Sequence, residues 1–108
     1  MTATTNAPCL EVATFRARAG VSRADLLRAL ADALPWLAAQ PGFISRRLLH
    51  DQAQDTWVDT VEWRSEVEAH RAMAVAAQAP FAAALGEVID LETFRCLHAA
   101  PVTPALGA

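Results

Sequence analysis

A succession of strand, helix and strand occurs twice along this chain, and each of the two helices begins with a matching pair of residues. Ser22 stands three residues before Asp25 in the first half, and Ser65 stands three residues before Glu68 in the second. At this spacing the serine hydroxyl accepts a hydrogen bond from a free backbone N–H at the start of a helix. Two such units must bury their helices against one set of strands, so the repeat restricts the chain to a few layered folds.

Alternation of side chains along the sequence predicts four strands. The first, residues 10–18, turns Leu10 and Val12 to one face. Its opposite face carries Ala13 and Phe15. The same period of two predicts the remaining strands at residues 43–50, 56–63 and 91–98.

Helical periodicity predicts two helices, over residues 22–39 and 66–79, with a short helical turn over residues 80–88. Pro35 removes a backbone hydrogen bond inside the first helix and predicts a bend there. The apolar stripe of the second helix is expected to contain Val67, His70, Met73 or Ala74, Ala77 and Phe81. This order of elements predicts an α+β ferredoxin-like fold of the split βαβ type, a four-stranded antiparallel sheet with two helices on one face.

One domain accounts for the whole length of 108 residues. We expect it to span residues 9–100, between a flexible N-terminal tail at residues 1–8 and a C-terminal tail at residues 101–108. Both tails are small and polar or rich in proline, which favours loose structure. No linker divides the chain between them.

The predicted sheet has an apolar face that no helix covers. Leu10, Val12 and Val58 alternate onto that face, and apolar residues make up 54% of the chain. A face of this kind is rarely left in water. We therefore predict a homodimer, a dimeric α/β barrel in which two copies pack sheet against sheet.

The charges and the apolar runs exclude several kinds of partner. The net charge is −3, and the nine arginines are scattered among acids, without a basic stripe for a phosphate backbone. No apolar run reaches the roughly 18–20 residues of a membrane span. Residues 1–9 lack the basic and apolar regions of a secretion signal. We predict a cytoplasmic protein that binds neither nucleic acid nor membrane.

Cys9 and Cys96 are the two cysteines of the chain. Their spacing, and that of the three histidines, matches no known metal motif, so neither a metal nor a cofactor is predicted. The first and fourth strands are neighbours in the predicted fold, which would bring the two thiols near each other. We expect them to be reduced in the cytoplasm.

Trp63 and His70 form the candidate catalytic pair, where the third strand passes into the second helix. An imidazole exchanges protons near neutral pH, so His70 suits a general base that deprotonates a phenol or quinol. Trp63 would stack on the substrate ring. The other residues expected to line a cavity between sheet and helices are Phe15, Trp36, Met73 and Phe81. The alternative is structural, with Trp63 as a core anchor and His70 as a hydrogen-bonded core residue.

The remaining polar and aromatic residues of the strands are given structural roles. Trp57 is expected to cover the first helix, and His50 and His98 to lie at the rim. Asp59 and Glu62 differ in parity and are expected to point to opposite faces of the sheet. One of the two is expected to pair with an arginine of a neighbouring strand, such as Arg16, Arg47 or Arg95.

The strand WVDTVEW followed by S-x-x-E-A-H, with LPWLAAQPGFISRRLL before it, resembles the antibiotic biosynthesis monooxygenase-like group of dimeric α/β barrels. The resemblance covers about residues 10–98. It implies a dimer, and within the group some members oxidise aromatic polyketide quinols without metal or flavin, whereas others break down haem. The quinol-oxidising members use Asn, Trp and Tyr around the substrate, and this chain has no Tyr.

The resemblance to haem-degrading members extends to Trp63 and His70. Those members also use an asparagine on the first strand, whereas the asparagine of this chain, Asn6, stands ahead of that strand. The leading hypothesis is a cofactor-independent monooxygenase for a small aromatic or polyketide-like substrate. The alternatives are a non-catalytic small-molecule-binding or accessory protein and, third, haem binding through His70. The enzyme hypothesis predicts an open cavity of at least about 300 Å³ beside His70. The accessory-protein hypothesis is also compatible with a core that side chains fill completely.

Overall fold

Four strands and four helices form in the computed structural model, which describes residues 7–103. In chain order they are β1 (Cys9–Ala17), α1 (Arg23–Asp32), α2 (Leu34–Ala38), β2 (Phe43–Asp51), β3 (Thr56–Trp63), α3 (Glu66–Ala76), α4 (Ala82–Val88) and β4 (Ile89–Ala99). Most of the two predicted tails, including Asn6, lies outside the described residues.

The strands form one antiparallel sheet in the order β2-β3-β1-β4. This is the predicted ferredoxin-like order, with β1 paired on both sides. The register aligns Ala13 of β1 with Asp59 of β3 and with Cys96 of β4. Side chains of aligned residues share a face of the sheet, so the register decides which residues meet beneath the helices.

The first predicted helix is divided into α1 and α2 at Ala33. Pro35 occupies the first turn of α2, where its missing N–H costs no helical hydrogen bond. The predicted bend is therefore a break between two helices. The final helical turn predicted over residues 80–88 forms as α4.

Both predicted caps form. Ser22 Oγ accepts a hydrogen bond from the Asp25 backbone N–H at 3.1 Å, and Ser65 Oγ accepts one from Glu68 at 3.2 Å. The Glu68 carboxylate receives two further bonds from Arg64, of 3.2 and 2.7 Å. The hydrogen bond from Arg64 is the main cause that lowers the pKa of Glu68.

The buried face of α3 differs from the predicted stripe. Ala69 and Ala72 are the residues of this helix that are buried against the sheet. His70 is exposed, and Val67 and Met73 are 38% and 40% exposed. Alanine has the shorter side chain, which lets the helix approach Trp63 closely. The buried positions 69 and 72 each precede by one residue the predicted positions 70 and 73, so the predicted stripe is wrong.

Two clusters of buried side chains form the core on the helix side of the sheet. One is built around Trp63 with Cys9, Val61, Ala69 and Ala72. The other joins Phe15 and Trp57 to the α1 residues Leu26 and Leu30 and to Ile89. Trp57 therefore packs against the first helix, as predicted.

The opposite face of the sheet carries apolar side chains that no element within residues 7–103 covers. Leu10, Leu49 and Leu97 are 42%, 46% and 65% exposed. This is the surface through which the homodimer is predicted to form. Separately, none of the described helices is long and apolar enough to cross a membrane.

Candidate functional site

A cavity of about 160 Å³ lies between the sheet and the helices, with walls from both core clusters. Its lining is mostly apolar and aromatic. The residues that line it are Glu11, Ala13, Phe15, Leu30, Ala33, Trp36, Leu37, Arg46, Asp59, Trp63, Ala72, Met73, Ala76, Phe81, Leu85, Ile89 and Phe94.

Five of the six predicted site residues lie on this cavity: Phe15, Trp36, Trp63, Met73 and Phe81. The rings of Trp36 and Phe81 meet edge to face with centroids 5.3 Å apart. The structure does not place His70 on the cavity, because its position on α3 turns it to the surface. The roles predicted for these residues in catalysis and substrate binding stay predictions.

The cavity is smaller than the enzyme hypothesis predicts. Its volume of about 160 Å³ is about half of the 300 Å³ at the lower end for small-molecule sites. Large side chains such as Trp36, Met73 and Phe81 form part of its wall. The core is nevertheless not filled, and a cavity of about 150 Å³ is enough to hold one benzene ring.

Glu11 is the carboxylate that reaches the cavity beside Trp63. The indole Nε1–H of Trp63 donates to Glu11 Oε1 at 3.2 Å, and His98 Nε2 lies 3.1 Å from the same oxygen. The ring of His98 in turn meets that of His70 edge to face, with centroids 4.7 Å apart. A connected series of side chains thus runs from the cavity wall, through Glu11 and His98, to His70 at the surface.

An ion pair between neighbouring strands adds a second polar region to the wall. Arg46 binds Asp59 through two hydrogen bonds, of 3.0 and 2.8 Å, and donates a third to the Leu30 carbonyl at 2.6 Å. The two side chains are 7% and 15% exposed. The two charges neutralise each other, so the pair brings hydrogen-bonding groups without a net charge.

Asp59 pairs with an arginine of a neighbouring strand, as predicted for one of the two acids of β3. The arginine is Arg46, however, and none of the three that were named as examples. β2 has a register shift between Phe43 and Ser45. Beyond that shift, Arg46 lies opposite Val61 and shares the helix side of the sheet with Asp59. Arg47 points to the open face instead, as does Arg95, which is aligned with Thr14.

Glu11, Arg46, Phe94 and His98 are site residues that the sequence reasoning missed. The position of Glu11 could have been found from the sequence, because alternation along β1 places it on the same face as the buried Ala13 and Phe15. An acid at such a position needs a polar partner beneath the helices. His98, predicted at the rim, has a side chain that is only 13% exposed.

The two thiols are free. Cys96 lies opposite Ala13 of β1, on the same face of the sheet as Cys9. Burial raises the pKa of Cys96 to about 11, and the charges of Glu11 and Asp59 act in the same direction. Burial likewise raises the pKa of Cys9, with a smaller contribution from Glu66.

Solved structures resemble this fold over nearly its full length. SnoaB, a cofactor-independent oxygenase from Streptomyces nogalater, has a TM-score of 0.76 at 22% identity, covering 94% of this chain and 99% of its own. Rv0793 from Mycobacterium tuberculosis has a TM-score of 0.67 at 20% identity, covering 91% and 98%. At these identities the likeness shows the fold alone. A search of curated protein sequences found no significant match.

The sequence itself matches a family profile. The profile described as antibiotic biosynthesis monooxygenase covers residues 8–84, from β1 into α4. That range contains most of the chain and much of the cavity wall, including Glu11 and Trp63. The chain therefore belongs to the antibiotic biosynthesis monooxygenase family.

Proposed function

We propose that this protein is a monooxygenase that acts on a small aromatic phenol or quinol, or a comparably small polyketide-like molecule, without metal or flavin. The observation that carries the proposal is the carboxylate of Glu11 in the wall of an otherwise largely apolar, aromatic cavity. The family match and the likeness to SnoaB, itself a cofactor-independent oxygenase, support the reaction type. The cavity of about 160 Å³ favours a substrate with one aromatic ring.

The proposed reaction begins with proton transfer from the substrate hydroxyl to Glu11. Glu11 Oε1 is engaged by Trp63 and His98, which leaves Oε2 for the substrate. The position of Glu11 supports this residue, rather than His70, as the proton acceptor. His98 and His70 then stand between Glu11 and solvent.

The phenolate that results is electron-rich enough to react with dioxygen directly. It transfers one electron to O₂, and the two radicals combine to form a C–O bond at a ring carbon that bears hydrogen. The hydroperoxide then loses water to give a quinone. One oxygen atom enters the product and the other leaves as water, so no external reductant is needed. Trp63 and Phe15 hold the ring by stacking contacts in this scheme.

Oxygen uptake with a series of single-ring and fused-ring phenols and quinols tests the proposal. We expect turnover with single-ring compounds and incorporation of one atom of ¹⁸O₂ into the quinone. Glu11→Gln should lower kcat by about 10²–10⁴-fold, the usual contribution of a general base. Glu62→Gln, on the open face of the neighbouring strand, is the matched control and should leave kcat unchanged.

His70→Ala separates the two candidate bases. We expect it to lower turnover far less than Glu11→Gln does, with the melting temperature of both variants close to that of the parent. The reverse order, with both variants folded, would return the role of base to His70. No oxygen uptake above the spontaneous rate with any compound in the series would refute the enzyme proposal.

The small cavity also favours a second function, binding of a small apolar ligand without turnover. Trp36 and Trp63 line the cavity, so a ligand that enters should change tryptophan fluorescence. Saturable binding of single-ring compounds with no oxygen uptake would support this alternative. The cavity volume does not favour haem, whose porphyrin contains four pyrrole rings.

A further inference from the structure

Three side chains with different metal-binding atoms converge between β1 and β4. Glu11 supplies a carboxylate oxygen, Cys96 a sulfur and His98 an imidazole nitrogen, and these atoms all lie within 4.8 Å of one another. We refer to the three residues as the Glu11–Cys96–His98 cluster. Glu11 is aligned with His98 across the strands, and Cys96 occupies the next position on the same face of β4.

The cluster is enclosed but reachable. The side chains of Glu11 and His98 are 17% and 13% exposed, and their nearest atoms, Oε1 and Nε2, are 3.1 Å apart. Tetrahedral bond lengths of 2.0–2.3 Å place neighbouring ligand atoms about 3.5 Å apart. The observed spacing therefore requires only small side-chain movements to surround one ion.

Groups around the cluster hold it in place. Trp63 donates its indole N–H to Glu11, which is the kind of outer hydrogen bond that orients a ligating carboxylate. The aligned backbones of β1 and β4 fix the separation of Glu11 and His98. The donors are thus set on strands rather than on loops, which favours a preformed site.

We propose that the Glu11–Cys96–His98 cluster binds a divalent transition-metal ion of the zinc type, with one sulfur, one nitrogen and one oxygen ligand from the protein. Mixed thiolate, imidazole and carboxylate donors suit Zn²⁺ and Co²⁺ and do not suit Mg²⁺ or Ca²⁺. Three protein ligands leave the fourth tetrahedral position to water. On binding, the Cys96 thiol loses its proton to solvent, and the His98 ring proton resides on Nδ1 so that Nε2 ligates the ion.

Metal binding would also occupy the carboxylate to which the proposed oxygenase reaction assigns the proton. If that function holds, Zn²⁺ inhibits turnover. The binding itself does not depend on the reaction, so it is measured without substrate.

Titration of metal-free protein with Co²⁺ tests the site. A cobalt–thiolate bond gives a charge-transfer absorption in the near ultraviolet, and Zn²⁺ should displace Co²⁺ and abolish it. Cys96→Ser should remove the band, and His98→Gln should weaken Co²⁺ affinity by at least about 100-fold, beyond the usual loss for an outer-sphere partner. Cys9→Ser and His50→Gln are matched controls of the same residue types outside the cluster. Each should retain the charge-transfer band and the Co²⁺ affinity of the parent protein.

A measurement on the unaltered protein covers the case in which Cys96→Ser fails to fold. Binding of Zn²⁺ to the parent protein at neutral pH should release the proton of the Cys96 thiol, as read by an indicator dye in weakly buffered solution. Absence of the charge-transfer band in the parent protein would overturn the proposal. A band that survives in Cys96→Ser, or Zn²⁺ binding to the parent protein without proton release, would overturn it as well. Inhibition of oxygen uptake without Co²⁺ binding would leave the oxygenase proposal standing and refute the metal site.

Discussion

At the residue scale, Arg46 and Asp59 show how a charged pair is accommodated beneath helices. Their side chains are 7% and 15% exposed, and two mutual hydrogen bonds hold them together. Arg46 also satisfies the Leu30 carbonyl on α1. Burial of two charges is costly, and the cost is offset only when both are present and hydrogen-bonded.

Removal of one member should therefore destabilise the protein strongly. Asp59→Ala leaves the Arg46 guanidinium buried without its partner, and we expect the free energy of unfolding to fall by about 3–5 kcal/mol. Urea denaturation measures the change. Replacement of both residues, as Arg46→Met with Asp59→Leu, should recover most of the loss, because no unpaired charge remains.

An exposed ion pair provides the control for this experiment. Arg28 and Asp25 are 70% and 59% exposed in their side chains, so Asp25→Ala should cost at most about 1 kcal/mol. Equal effects of Asp25→Ala and Asp59→Ala would contradict the assignment of a buried pair.

Single residues of the site were predictable where alternation along a strand places a large aromatic side chain on the face of the sheet that the helices cover. Phe15 and Trp63 were found this way, and both are buried. His70 was misplaced because α3 has apolar residues on more than one side, so periodicity alone does not choose the buried stripe. Arg46 was missed because a register shift in β2 changes the parity of the residues after it, and nothing in the local sequence reports such a shift.

At the scale of elements, the turn between α2 and β2 depends on contact with the start of α3. Gly42 has φ of +87°, a backbone conformation that favours glycine. A Cβ at this position would lie 2.7 Å from Cβ of Glu68. Because the Glu68 Cβ is fixed to the helix backbone, the helix itself would have to move.

Gly42→Ala and Gly20→Ala form a matched pair of variants. Gly20 has φ of +84° but no atom within 4 Å of an added Cβ, so its replacement should cost only the left-handed backbone strain of about 1–2 kcal/mol. Gly42→Ala should cost a further 1–3 kcal/mol or so, typical of overpacking. Urea denaturation of both variants measures the difference, and equal losses would refute the close contact with Glu68.

The existence and order of the helices and strands were predictable, because helix capping and the alternation of strand side chains depend only on residues close in sequence. Ser22 and Ser65 begin their helices as predicted, and β3 spans the predicted residues 56–63. The division of the first helix was not fully predicted. Pro35 is compatible with a bend inside one helix and with the first turn of a new one, and the packing of α2 against β2 selects the second.

At the scale of the whole molecule, the open face of the sheet supports the predicted homodimer. Leu10, Leu49 and Leu97 present exposed apolar side chains on the same face of the sheet. A second copy placed sheet against sheet would remove them from water, at a gain of about 25 cal/mol per Å² of apolar area.

Light scattering at micromolar concentration should therefore give twice the mass of one chain, which is 11.6 kDa. Leu97→Asp would bury a charge in that interface and should shift the protein to monomers at the same concentration. Val75→Asp is the control, because Val75 is 45% exposed on α3, on the side of the sheet away from the predicted interface. A monomeric parent protein, or dissociation by Val75→Asp alone, would contradict the predicted dimer.

The global arrangement followed from the sequence because two strand–helix–strand units admit few layered folds. The size of the cavity did not follow. Its volume depends on how far Trp36, Met73 and Phe81 project into the space, and side-chain conformations of this kind are set by the packing of all elements together.

The position of β1 inside the sheet has a consequence for synthesis of the chain. Among the four strands of the sheet β1 is synthesised before the others, yet one of its two hydrogen-bonding edges is completed by β4, which is synthesised after them. Until then that edge offers a row of free N–H and C=O groups to any other extended polypeptide. A translation arrest after α4 would thus release a species prone to aggregation. In that species β1, the strand that carries Glu11, would have an unpaired edge along its length.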